Sequence, residues 1–160
     1  MNNVFWLLAG IPGSGKSTFA QNMMNHTPLS EINIKNQNII WISSDNIRKE
    51  IFGSEEAIQN KELIFSIMKQ RSIFYLNRGY DVIYDATNIT SKIRLDILTS
   101  IKKIKCKKNC IVFRTPYKVC LERNRSRTRF VPENIILDMH SHWEEPSCEE
   151  GWDIIIDIEC

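Results

Sequence analysis

Gly10-Ile11-Pro12-Gly13-Ser14-Gly15-Lys16-Ser17-Thr18 fills every fixed position of the pattern G-x-x-x-x-G-K-[S/T]. It constrains the fold because the pattern works only in one setting, a strand that passes through a tight glycine turn into a helix. The flanks supply that setting. Val4 to Ala9 is an unbroken apolar run, readable as a buried strand, and from Ser17 onward Phe19, Ala20, Met23 and Met24 fall on one helical face. In such a turn successive backbone N–H groups converge on a concavity, and the helix N-terminus adds positive potential there. Lys16 can reach the β- and γ-phosphates of a nucleotide, and the Ser17 hydroxyl can ligate Mg²⁺. The expected ligand is ATP or GTP with Mg²⁺, held by Gly10, Pro12, Gly13, Ser14, Gly15, Lys16, Ser17 and Thr18.

The rest of the chain alternates between strand-like and helix-like runs. Ile39 to Ile42 is a second strand, closed by Ser43-Ser44-Asp45. A long helix is expected from about Glu55 to Arg78, with Leu63, Ile64, Ile67, Met68, Phe74 and Tyr75 recurring at helical spacing and Gly79 ending it. Asp81 to Asp85 is a third strand, and Thr90 or Ser91 caps a helix striped by Ile93, Ile97, Ile101 and Ile104. Cys110 to Phe113 is a fourth strand. Pro116 opens a helix to about Arg125, and Pro132 opens another with Ile135, Ile136 and Met139 inward. Asp153 to Ile158 is the fifth strand. Strands separated by helices imply βαβ units and an open, parallel α/β sheet. Ligands of such sheets bind beyond the carboxyl ends of the strands.

A length of 160 residues suits one domain spanning 1–160. The net charge of +2 is too small to argue for nucleic acid by itself, so any basic surface must come from clustering. Five cysteines, an odd number, with no secretory leader point to free thiols in a reducing, cytoplasmic compartment. Cys106, Cys110, His140 and His142 lack the paired spacing of a zinc site, and free thiols with surface histidines are expected. The six-residue apolar run before the loop is too short for a signal or membrane segment, and no membrane association is expected.

Chemistry is therefore sought in the loops after the strands. Asp45 and Arg48 lie one helical turn apart after the second strand. They suit a general base and a bidentate anion contact, or equally a helix cap with an i,i+3 ion pair. Asp85 ends the third strand, before Ala86-Thr87-Asn88. It can hold Mg²⁺ or a metal-bound water, or cap the turn with Asn88 and Thr90. Arg123, Arg125, Arg127 and Arg129 crowd one segment between two helices, the place for a lid that neutralises phosphoryl charge, or a solvated helix end. Lys102, Lys103, Lys105, Lys107 and Lys108 are taken as a solvated helix end and turn. Trp41, Phe52 and Phe130 are open between base stacking and core packing.

Four segments in this order carry a resemblance: G-I-P-G-S-G-K-S-T, D-x-x-R at Asp45 and Arg48, D-A-T-N at Asp85 to Asn88, and E-R-N-R-S-R-T-R-F-V-P from Glu122. Glu144-Glu145-Pro146 and Glu149-Glu150-Gly151-Trp152-Asp153 add a closing segment. Over nearly its whole length the chain resembles the kinase domain of polynucleotide 5′-hydroxyl kinases, including phage end-healing enzymes. The resemblance implies a P-loop kinase fold: a five-stranded parallel sheet flanked by helices, with a small helical lid at about 123–142. It also implies transfer of the ATP γ-phosphoryl group to the 5′-hydroxyl of RNA or DNA. Asp45 would be the base, and Arg48 would hold the phosphate next to the nucleoside. Lys16 and Arg127 would bind the transferring group, and Ser17 would ligate Mg²⁺. Arg123 would be the other lid arginine, and Asp85 and Asn88 fall on the substrate side. The segment from Arg123 to Pro132 is one residue shorter than in some members, so Arg129 competes with Arg127 for the lid role. No phosphatase or ligase module is expected to follow, so any end-repair partner activity is expected on another chain. Two further functions share the framework: phosphorylation of a metabolite or antibiotic hydroxyl, and a nucleotide-dependent switch ATPase with no acceptor.

Overall fold

A computed structural model describes residues 3–25, 38–54 and 60–159. The elements run β1 (Val4–Ala9), α1 (Lys16–Met24), β2 (Ile39–Ser43), α2 (Ser44–Phe52), α3 (Lys61–Leu76), β3 (Asp81–Asp85), α4 (Ser91–Ser100), β4 (Lys107–Phe113), α5 (Tyr117–Arg125), α6 (Glu133–Ser141), a 3-10 turn (Cys148–Glu150) and β5 (Ile154–Ile158). The strands form one five-stranded sheet, order β2-β3-β1-β4-β5, with every pairing parallel. The connection after β1 leads toward β2 and the one after β4 toward β5. The chain thus diverges on either side of β1, which is where an open sheet leaves a crevice at its carboxyl edge.

Being central, β1 is buried on both faces, which is why Val4 to Ala9 reads as an unbroken apolar run. Phe5, Leu7 and Ala9 point into a cluster with Ile64 and Met68 of α3 and Ile97 and Leu98 of α4. Trp6 and Leu8 point the other way, onto Phe19, Ala20 and Met23 of α1. A third cluster, Ile11, Ile89, Cys120 and Ile136, joins the glycine loop to α5 and α6.

Several boundaries depart from the sequence expectation. The third strand falls where expected, but the fourth begins at Lys107 and the fifth at Ile154. The long helix begins at Lys61, and residues 55–59 lie outside the described residues. Its inward positions are Ile64, Met68, Ser72 and Leu76, spaced by four, whereas Leu63 and Phe74 face solvent. On α4, Thr90 is the cap, its Oγ1 accepting from Ile93 N at 3.4 Å. Ile93 turns outward and Arg94 takes its place in the buried stripe. Ile101 is buried just past that helix.

Candidate active site

The glycine loop is gripped from three sides. Gly10 N donates to Thr87 O in the loop after β3 at 3.0 Å, and Thr115 Oγ1, after β4, donates to Ser14 O at 2.8 Å. The third side is α5. Gly13 has φ +83°, and a Cβ there would lie 2.4 Å from Cys120 O, so only glycine lets the loop rest on that helix. Lys16 is buried, its Nζ donating to Gly10 O at 2.8 Å and Ile11 O at 3.0 Å. Burial holds the Lys16 ammonium below its usual pKa, and Arg127 pushes the same way while the Asp85 and Asp45 carboxylates oppose. The charges of Asp45, Asp85 and Arg127 thus all bear on one amine.

Asp85, at the end of β3, is only 4% exposed. Its Oδ2 accepts from Ser17 Oγ at 3.1 Å and from Trp41 Nε1 at 3.1 Å. Burial raises its pKa, while Lys16 and the two hydrogen bonds favour the ionised form. A serine hydroxyl beside a buried carboxylate is a hard oxygen pair, which fits Mg²⁺. Trp41 is therefore more than plain core. Period-two alternation sets it opposite Ile40 and Ile42, on the α1 side of the sheet, where its indole tethers Asp85.

Ser43 caps α2, its Oγ accepting from Asn46 N at 3.5 Å, which puts Asp45 in the first turn. Arg48 Nη1 donates to Asp45 Oδ1 at 2.8 Å, and Arg129 Nη1 approaches Asp45 Oδ2 at 2.5 Å. The arginine cluster thus divides by role. Arg129 meets Asp45 and Arg125 braces Glu133 of α6 at 2.6 Å, while the Arg127 charge disfavours the Lys16 ammonium. Arg123 stands exposed on α5. Asn88 lies in the loop after β3. It is buried with φ +49°, and its Nδ2 donates to Leu8 O at 2.7 Å and Ala86 O at 3.2 Å. Its donors tie β1 to the loop after β3.

Arg94 was not foreseen from the sequence. Fully buried, it donates from Nε and Nη2 to Glu150 at 2.9 and 2.7 Å and from Nη1 to Asn88 O at 3.0 Å. Trp152 Nε1 adds a bond to Glu150 at 2.9 Å, so the closing segment clamps the loop that carries Thr87. The lysine cluster sits elsewhere: Lys107 pairs with Val4, at the end of the sheet away from the glycine loop. Among the described residues no group of three His, Cys, Asp or Glu could hold a metal, and no helix is long and apolar enough to cross a membrane. Cys106, Cys110, Cys120 and Cys148 are free thiols, and Cys160 lies outside the described residues.

Comparison with known proteins adds to this geometry. A family model described as AAA domain (AAA_33) matches residues 5–146. The L-seryl-tRNA(Sec) kinase of Methanococcus maripaludis is 27% identical over 148 residues, 92% of this chain and 55% of the relative. A chain of the Pnkp1/Rnl/Hen1 RNA repair complex superposes with a TM-score of 0.73 at 22% identity, covering 88% of this chain and 44% of that one. Kti12 of Chaetomium thermophilum, solved in complex with ADP-AlF3, superposes with a TM-score of 0.76 at 15% identity, covering 97% of this chain and 88% of that one. The fold is a P-loop kinase fold. The chain spans about half the length of the curated relative it matches.

Proposed function

The chain belongs to the AAA domain family (AAA_33), and from that premise we propose that it is an ATP-dependent polynucleotide 5′-hydroxyl kinase. The observation that carries this reading is Asp45 beside Arg48 and Arg129, facing a buried loop lysine. A nucleotide-binding loop alone would serve hydrolysis. A carboxylate flanked by guanidiniums across from that loop supplies an acceptor side. The RNA repair complex among the similar structures supports a nucleic-acid acceptor.

In this reading the loop amides and Lys16 bind the nucleotide phosphates, and Arg127 neutralises charge on the transferring group. Ser17 and Asp85 would hold Mg²⁺, which when bound offsets phosphate charge. Asp45 takes the proton of the 5′-hydroxyl as the oxygen forms its bond to the γ-phosphorus and the bond to the β-phosphate oxygen breaks, releasing ADP. The proton then passes from Asp45 to solvent. The chemistry needs positioning and charge neutralisation more than covalent catalysis.

The test is labelled phosphate transfer from ATP to a panel of 5′-hydroxyl RNAs, DNAs and nucleosides, with Asp45→Asn alongside. The variant is expected to lose turnover while binding nucleotide nearly as well. Near-normal transfer by Asp45→Asn overturns the assignment of the base. ATP hydrolysis without transfer to any acceptor overturns the kinase, and transfer only to small neutral hydroxyls overturns the polynucleotide.

A further inference from the structure

We infer that Arg129 is a specificity-determining residue of the acceptor site: together with Arg48 it reads the phosphate that follows the 5′-terminal nucleoside. The inference rests on the reading of Asp45 as the base. Arg48 and Arg129 contact different oxygens of that carboxylate, Oδ1 at 2.8 Å and Oδ2 at 2.5 Å. A hydroxyl that hydrogen-bonds Asp45 therefore lies beside both guanidiniums, whichever oxygen it takes.

The two arginines come from opposite sides. Arg48 is fixed within α2, where its Nη1 also reaches Ser44 Oγ at 3.5 Å. Arg129 comes from the segment joining α5 to α6. Buried Asn124 closes the neck of that segment, its Nδ2 donating to Val131 O at 2.8 Å and its Oδ1 accepting from Val131 N at 3.1 Å. This clamp holds a short loop in which Arg127 and Arg129 are two residues apart; Arg129 meets Asp45, and the Arg127 charge disfavours the Lys16 ammonium. The loop thus divides its arginines between the donor side and the acceptor side. A guanidinium pairs best with a planar or tetrahedral oxyanion that it can meet through two N–H groups. An internucleotide phosphate one nucleoside away from the reacting hydroxyl offers that anion, and a neutral sugar hydroxyl offers none.

The experiment compares wild type, Arg129→Gln, Arg129→Lys and Arg127→Gln on two 5′-hydroxyl oligonucleotides. One has an ordinary first linkage and the other an uncharged methylphosphonate there. Arg129→Gln is expected to lose about tenfold or more in kcat/KM on the charged linkage, mainly through the acceptor KM, as for one charge-assisted contact. On the uncharged linkage it should differ little from wild type. Arg129→Lys should recover part of the loss on the charged linkage, and the KM for ATP should not move. Arg127→Gln should lose equally on both. Equal losses for Arg129→Gln on both linkages would mean that it serves the transferring phosphoryl group or only the fold, and would overturn the inference. So would a wild type indifferent to the linkage charge. A wild type that phosphorylates neither oligonucleotide refutes the polynucleotide reading itself, a result distinct from either of these.

Discussion

The buried Arg94–Glu150 pair makes a demand on stability that can be worked from its contacts. Arg94 is 0% exposed and the Glu150 side chain 6%, with the guanidinium donating twice to the carboxylate and once to Asn88 O. Arg94→Met keeps most of the volume and removes all three bonds. Glu150 is left in the interior with Trp152 Nε1 as its remaining donor among these groups. Breaking a buried pair from one side costs about 3–5 kcal/mol, because the remaining charge is stranded. In a protein of this size that corresponds to a fall of roughly 6–20 °C in Tm. The double variant Arg94→Met, Glu150→Met removes the stranded charge and should recover most of the loss. Urea unfolding of the single and double variants gives both values. An Arg94→Met protein within about 1 kcal/mol of wild type, or a double variant no better than the single, would refute the reasoning.

The same pair has a pH signature. Burial pushes the Glu150 carboxyl upward, but its bonds to Arg94 and Trp152 outweigh that and hold it below the usual carboxylate range. A depressed native pKa contributes stability above the unfolded value, near about 4.3, and that contribution is lost as pH falls through the native value. Wild type should therefore lose stability on acidification, and the double variant should lose less.

Two further outcomes follow from the loop and the buried carboxylate beside it. Gly13→Ala would put a Cβ 2.4 Å from Cys120 O at φ +83°, so α5 must shift; nucleotide affinity should fall at least about tenfold, measured by calorimetric titration, and unchanged affinity would sink the close-packing argument. Trp41→Phe removes one of two donors to Asp85, at a cost of about 1.5–3 kcal/mol for a bond to a charged group. Asp85 already has a native pKa above its unfolded one, so its contribution to stability falls as pH rises from the ordinary carboxylate range through the native value. Trp41→Phe should carry that fall to higher pH, and unfolding curves parallel to wild type at every pH would contradict it.

The candidate site residues are legible in the sequence because they sit at strand ends, beside turns with their own local signature. Spacing marks the glycine loop, Asp45, Arg48 and Asp85 as candidates, the role of Asp45 as base comes only with the resemblance, and β3 runs from Asp81 to Asp85 as the sequence predicts. The residues that hold them were not legible, and the reason is distance along the chain. Arg94 looks like an ordinary solvated position until Glu150 arrives 56 residues later. Trp41 reaches Asp85 across 44 residues and a neighbouring strand. Helix faces misled where polar and apolar residues traded places: on α3 the buried stripe includes Ser72, and Phe74 faces out with Arg78 lying 3.5 Å from its ring centroid.

The lid arginines are the intermediate case. Their density marked a lid, but alternation by two offers both Arg127 and Arg129 to the same cleft, and spacing cannot choose between them. The choice is made by the neck that Asn124 closes and by the height at which α2 presents Asp45. Both are properties of packed elements. Arg129 is therefore held against Asp45, although Arg127, chemically identical, lies two residues away. Exchanging the roles would require moving the neck as well as the arginines.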